Sequence, residues 1–345
     1  MKIEFSKISL VAGLALAASV SFTSVSSADE GRFASFVSPK NPVVEYGAVP
    51  FIERVSKETN GELTYKMFSG GSLLGGKNMV SGLADGVADI GQIVFGYYPA
   101  EFPYASLIAD MAIYGKYAPA VAAAATEFNF LNCAGCLEDY KRNSLVILGS
   151  TSTSAYQLLA KEDVSSVESL KGKKIRTAGA LWSRWATSVG AVPVSAPSSE
   201  MYEQMSRGMV EIAIQPTGAL KSHSIWDIGK DVVMLNLGTY SALGYMALDE
   251  EVEAVAAEKG VNLIEPSEGL KNSVTEFLKN DRATVIEMAK TKYKIADPEP
   301  LMDKYVELIN KWEAKFEPIR GDRDAMAQML WDEVMSKVDV ATLGK

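Results

Sequence analysis

Apolar positions in the first third of the chain keep two rhythms in turn. FASFV at 33–37 is a short apolar run ended by Ser38-Pro39, which predicts a buried strand. After Asn41-Pro42 the spacing changes. Val43, Val44, Phe51, Ile52 and Val55 fall on one face of a helix that runs to Thr59 and is stopped by Asn60-Gly61. Leu63, Tyr65 and Met67 then alternate with Thr64, Lys66 and Phe68 as a second strand. A glycine-rich loop, a helix over 78–84 and a third strand over 87–94 complete the unit. Strand, helix, strand, helix, strand with short joints is the grammar of a parallel α/β sheet with right-handed crossovers.

The middle of the chain repeats it. Strands are expected at 145–148, 174–176, 192–194 and 211–214, with helices at 181–188 and 199–207 between them. Residues 232–237 and 244–248 read as strands returning toward the first unit. From Val252 onward the pattern is mostly helical, with amphipathic runs at 270–293 and 299–316. A last helix over 322–337 carries Met326, Met329, Leu330 and Val334 at helical spacing, which is core packing. The expectation is two α/β lobes joined by chain crossings, with any ligand in the cleft where strand C-termini meet.

The N-terminus follows another rule. Lys2 and Lys7 precede a thirteen-residue apolar run at 8–20, then Ser26-Ser27-Ala28 supplies small residues for a signal peptidase. That run is well short of the roughly 20 residues a membrane-spanning helix needs. Residues 1–28 therefore read as a cleaved secretory signal, and the rest as an exported, soluble protein. The 345 residues carry 34 Lys and Arg against 43 Asp and Glu, a net charge of −9 that moves to about −10 when Lys2, Glu4 and Lys7 are removed. An acidic surface disfavours nucleic acid and anionic lipid as partners. It leaves room for a small anion, because one buried Arg sets the local field more than distant carboxylates do. Export also places Cys133 and Cys136 in an oxidising compartment. Their C-x-x-C spacing fits a local structural disulfide best. A redox motif is a weaker reading, and zinc, which wants four ligands, the weakest.

Three segments are candidates for chemistry. Gly71-Ser72-Leu73-Leu74-Gly75-Gly76-Lys77-Asn78 nearly matches a phosphate-binding loop, but Asn78 stands where magnesium needs a hydroxyl, so a tight turn is expected. His223 is the one histidine; in Lys221-Ser222-His223-Ser224 it reads as exposed at a helix end rather than catalytic. No G-x-S-x-G or H-E-x-x-H is present, so neither a metal nor a cofactor is expected. Arg176 is different. In Lys173-Lys174-Ile175-Arg176-Thr177-Ala178-Gly179, alternation turns Ile175 inward and sets Arg176 at the C-terminal tip of a short strand, the cleft edge of such a lobe. Its planar fork pairs with a carboxylate through two parallel bonds.

The ordered segments FASFVSPKNP, FIERVSKETNGELTYKMFSGGSLLGG, GLADGVADIGQIVFGYYP, SLKGKKIRTAG and GAVPVSAPSSEMYEQMSRGMVEIAIQP, followed by the helical tail, resemble the solute-binding proteins of TRAP transporters, the family first known for C4-dicarboxylates. The resemblance covers residues 33–337. It implies a two-lobed periplasmic binding-protein fold with a ligand cleft between lobes and a long bracing helix. The lobes would be 29–147 with 236–275, and 148–235, with 276–345 bracing both. The implied function is capture of an organic acid in the periplasm and delivery to separate membrane permease subunits, by a protein expected to be a monomer. A ligand sensor feeding a receptor kinase would share this fold and site; a periplasmic enzyme acting on organic acids would need a converging acid–base pair.

On that resemblance Arg176 takes the position of the carboxylate-binding arginine, and Gln215 that of a polar contact after it. Two departures matter. Glu211-Ile212-Ala213-Ile214 replaces an Asp-Gly-x-Glu run. The neighbourhood about twenty residues before Arg176, Ser152-Thr153-Ser154-Ala155-Tyr156-Gln157, lacks the second arginine that dicarboxylate members often carry. Hydroxyls and the Tyr156 phenol suit hydroxyl, keto or ring groups better than a second carboxylate. Trp182 and Trp185 follow Arg176, and Phe95, Tyr97, Tyr98 and Tyr240 stand at expected strand ends. Together they favour a monocarboxylate with an apolar or aromatic body, with Arg176, Gln215, Tyr156, Trp182, Tyr97, Phe95 and Tyr240 as candidate contacts.

Overall fold

A computed structural model describes residues 30–242, 262–339 and 343. The signal segment and the strand expected at 244–248 lie outside the described residues, as do 252–261.

The chain builds two sheets. The first has three parallel strands in the order β2-β1-β3: β1 Gly31–Ala34, β2 Tyr65–Phe68 and β3 Ile90–Gly91. The second contains β4 Thr151–Ala160, β5 Lys174–Thr177, β6 Val192–Ser195, β7 Ile212–Pro216, β8 Asp231–Val233, β9 Thr239–Ala242 and β10 Asn262–Ile264. Its order is β10-β8-β4-β7-β5-β6, with β9 paired to the first half of β4. β4 runs antiparallel to β7, β8 and β9, while β5, β6 and β7 run parallel, so the sheet is mixed.

Burial explains the second sheet. Leu158, Ile175, Ile212, Ile214 and Val233 feed a core on one face, and Leu159, Ala213 and Val232 another core with Met201 and Met205. A strand covered on both faces no longer sorts its residues into inside and outside. The expected inward Ile175 and outer-edge Arg176 are accordingly both fully buried. Arg176 is the register partner of Val194 and Ala213, and so shares the Met201–Met205 face.

The helix Glu268–Thr291 is the brace. It is 24 residues long, about 36 Å at 1.5 Å per residue. Leu270 and Phe277 enter the core of the second lobe, while Val285 and Ala289 enter that of the first. Ser267 caps it by accepting from the Leu270 amide. Glu299–Phe316 then buries Met302, Tyr305, Leu308, Ile309, Trp312 and Phe316 against the first lobe. In the tail, Met326 and Val334 are buried as their spacing predicts. Cys133 and Cys136 form the local disulfide at the start of the helix Ala134–Arg142.

Several elements differ from the sequence reading: the strand expected at 87–94 shortens to Ile90–Gly91, and the one expected at 232–237 stops at Val233, with β9 Thr239–Ala242 following it unforeseen. Residues 145–148 join no ladder among the described residues. The longest strand, β4, opens on Thr, Ser, Thr, Ser, a run without apolar contrast that hides it. Asn262–Ile264 is an edge strand rather than helix.

Candidate ligand-binding cleft

Where β5, β6 and β7 end, the Arg176 side chain reaches three carbonyl oxygens. Its Nε and Nη2 both donate to the Ala196 carbonyl, at 2.9 and 2.6 Å, and Nη1 donates to Gln215 Oε1 at 2.8 Å and Ile214 O at 3.4 Å. Every acceptor is neutral. Among the described residues no carboxylate lies within ion-pair distance of this guanidinium, whose residue is 0% exposed. A buried charge held only by dipoles is electrostatically incomplete.

Beside it stands an aromatic box. Tyr156 of β4 stacks on Trp182 with ring centroids 4.3 Å apart and an interplanar angle of 16°. Tyr240 of β9 tilts against both, at 5.5 Å from Trp182 and 6.5 Å from Tyr156. The Trp182 indole donates to Leu237 O at 3.1 Å, which fixes the ring. The Tyr240 hydroxyl accepts from the Gly96 amide at 2.9 Å. That approach requires glycine, since a Cβ on residue 96 would stand 2.8 Å from the hydroxyl oxygen. Burial pushes the Tyr156 and Tyr240 phenols upward, so both are neutral donors and acceptors.

Trp182 rides on the helix Ala180–Ser188, whose N-cap is Gly179 and so offers no side chain to its first amides. Residues 179–183 line a cavity of about 540 Å³ between the lobes. Its walls include Tyr97, Trp182, Tyr240 and Ala196, the acceptor of Arg176, together with Asp110 and Tyr293. Two contacts cross its mouth: Lys77 Nζ to Glu200 Oε1 at 3.1 Å, and the Ser198 amide donating to the Tyr97 hydroxyl at 3.3 Å. The glycine loop before Lys77 is a turn, with Gly70 and Gly71 at φ +68° and +74°.

Of the candidates, Arg176, Gln215 and Tyr156 stand behind the cavity wall, Arg176 reaching it through the Ala196 carbonyl and Tyr156 through its stack on Trp182, while Tyr97, Trp182 and Tyr240 line it. Phe95 does not. Its ring is packed on Phe102 and Tyr140 in the first lobe's core, at 5.3 and 5.6 Å. It borders a separate cavity of about 670 Å³, with Val44, Phe51 and Ile93 on its walls. That space is larger than the cleft, but among the described residues its lining contains no Lys or Arg, and it includes Thr151, the partner of the last described residue of β9. Trp185 is likewise core.

His223 needs correction. It does end a short helix, Ala219–Ser222, but the ring is half-buried rather than exposed, and its Nε2 is buried with no partner among the described residues. Burial first, and the charge of Arg176 second, lower it from 6.5 to about 4. It is therefore neutral at neutral pH, and Arg176 stays the cation of this corner. Between those two values the unfolded chain holds a proton that the folded chain rejects. Stability is thus expected to fall as pH drops from about 6.5 to about 4, by at most about 3 kcal/mol. Urea unfolding of the wild type and His223→Gln at pH 7 and 4.5 checks this: the variant should lose less, and equal losses would contradict it.

Sequence reasoning missed a polar network at the wall of the cleft. Arg184 grips Asp281 of the bracing helix through Nε and Nη2, at 2.6 and 2.8 Å. Its Nη1 donates to Asp110 Oδ1 at 3.3 Å, and the Tyr293 hydroxyl donates to Asp110 Oδ2 at 2.6 Å. Burial raises the Asp110 carboxyl above its usual range, while Arg184 and Tyr293 pull it back. No local pattern signals partners 97 and 183 residues apart.

The family model for bacterial extracellular solute-binding protein, family 7, matches residues 33–290. Among solved structures, a marine metagenome TRAP solute-binding protein specific for aromatic acid ligands, from an unidentified microbe and in complex with metahydroxyphenylacetate, is 21% identical. That match covers 82% of this chain and 99% of the other, with a TM-score of 0.72. A TRAP solute-binding protein of Rhodoferax ferrireducens with copurified benzoate is 17% identical over 83% and 98% of the two chains, at a TM-score of 0.69. One from Bordetella bronchiseptica with bound (R)- and (S)-mandelate is 20% identical over 82% and 99%, at 0.64.

Proposed function

From the membership of this chain in bacterial extracellular solute-binding protein family 7, we propose that it is the periplasmic receptor of a TRAP transporter, capturing a monocarboxylic acid with an aromatic or similarly apolar body for delivery to a membrane permease. The observation that carries the reading is the fully buried Arg176, which faces neutral acceptors only. A ligand carboxylate supplies the missing charge, displacing or sharing the Gln215 amide oxygen. The stacked Tyr156 and Trp182 with Tyr240 supply a flat apolar wall for the body. The uncapped start of the Trp182 helix adds a favourable dipole for an anion. The solved structures with benzoate, mandelate and metahydroxyphenylacetate support the same ligand class.

In this reading 29–147 and 148–235 are the lobes, with 236–242 and 262–275 packed on the second through β9, β10 and Leu270, 276–345 braces both, and residues 1–28 are removed on export. Arg176 takes the carboxylate while the cleft is open. Closure then brings Lys77 to Glu200 and Tyr97 to Ser198, excludes water and strengthens the charge pair in the lower dielectric. Calorimetry of the mature protein against benzoates, phenylacetates, mandelate, 2-keto acids, succinate and a neutral sugar tests it. An aromatic or similarly apolar monocarboxylate is expected to bind at least tenfold tighter than succinate, roughly 1.4 kcal/mol. Preference for succinate or the sugar would refute the proposal.

A further inference from the structure

The cleft wall carries two chemically different sets of groups, and only one is explained by an acid with an apolar body. Besides the aromatic rings and Ala196, the wall carries the Asp110 carboxylate and the Tyr293 phenol. Resting on the reading above, we propose that Asp110 is a specificity-determining residue that accepts a hydrogen bond from a hydroxyl or amino group carried on the ligand's body, away from its carboxylate.

The carboxylate is nearly buried, at 5% exposure, yet lines the cavity. A carboxylate has about four acceptor positions. Asp110 uses one on each oxygen: Oδ1 for Arg184 and Oδ2 for Tyr293. Capacity is left over, in a place from which water is displaced when a ligand fills the cleft. A donor on the ligand satisfies it; a plain apolar ring strands it. The carboxylate is held at both oxygens, by Arg184, itself clamped by Asp281, and by Tyr293, which follows the bracing helix. The same carboxylate repels a second acid group brought near it. The cleft thus selects twice, for a donor and against a dicarboxylate, although Lys77 and Lys292 also stand on its wall.

The test compares matched ligands by calorimetry on the whole mature protein: benzoate against 3- and 4-hydroxybenzoate, and phenylacetate against its 3- and 4-hydroxy forms. The wild type is expected to prefer one hydroxylated member about tenfold or more, the effect of a hydrogen bond to a charged group. Asp110→Asn should shrink that preference to about twofold, the hydroxylated acid losing more affinity than the unsubstituted one. Tyr293→Phe keeps the carboxylate and frees Oδ2, so the preference should hold or rise, and this variant decides the matter if Asp110→Asn does not fold. Equal binding of all members to the wild type, equal weakening of both members in Asp110→Asn, or a lost preference in Tyr293→Phe would overturn the assignment and leave the organic-acid reading standing. Failure of every aromatic acid to bind would overturn both.

Discussion

Arg176→Ala is expected to weaken binding of the captured acid by about 2–5 kcal/mol, the cost of truncating one partner of a desolvated charge pair. Arg176→Lys should also bind poorly. An ammonium is a point donor on a flexible stem, and it cannot reproduce a fork that spans the Ala196 carbonyl and the Gln215 amide at once. The prediction has a second half, with the opposite sign. Without ligand, Arg176 is a cation at 0% exposure with no carboxylate partner among the described residues. Desolvating such a charge is unfavourable, and replacing it by an apolar residue of similar length is often neutral or stabilising. Arg176→Met should therefore abolish binding while the ligand-free melting temperature stays level or rises. Calorimetry and thermal unfolding of the same preparations settle it. Retained affinity in Arg176→Ala would remove the residue from the site, and a melting temperature many degrees lower in Arg176→Met would make it a structural ion.

That residue was legible because it follows the inward-facing Ile175 at the tip of a short strand, just before a glycine-bearing loop that opens a helix. β5, β6, β7 and the helix Ala180–Ser188 all fall within a residue or two of where their patterns place them. Tyr156 and Trp182 were legible as aromatics near Arg176, and their stacking follows from β4 running beside the strands that carry the cleft. Phe95 shows the limit. It lies two positions from Tyr97, and composition cannot distinguish the ring that enters the core from the one that reaches Ser198. His223 sits among Lys and Ser, which suggests solvent, yet tertiary packing covers its Nε2. The Asp110 network was invisible for a different reason. Its members come from the helix that follows β5, from the bracing helix and from the turn after the helix Pro103–Ala109, and only the folded chain puts them together.

Arg184→Leu is expected to be the most destabilising of the changes considered, at about 3–5 kcal/mol, because it leaves two buried carboxylates without their shared cation. Asp110 is 5% exposed and Asp281 8%, and each raises the energy of the other once Arg184 is gone. The sign with pH is fixed by the same geometry. Burial already holds the Asp110 carboxyl above its usual range in the presence of Arg184, and losing the cation must raise it further. The destabilisation is then fully present above that raised value and is relieved as acid protonates the carboxyl, so the deficit against wild type should be smaller at pH 5 than at pH 8. Asp281→Asn added to Arg184→Leu removes one of the two charges and should recover part of the loss. Denaturant unfolding of the single and double variants at both pH values measures all three effects. A single variant as stable as wild type, or a deficit that grows in acid, would show that the bracing helix and the Trp182 helix are held together by apolar packing alone and that the ionic clamp contributes nothing.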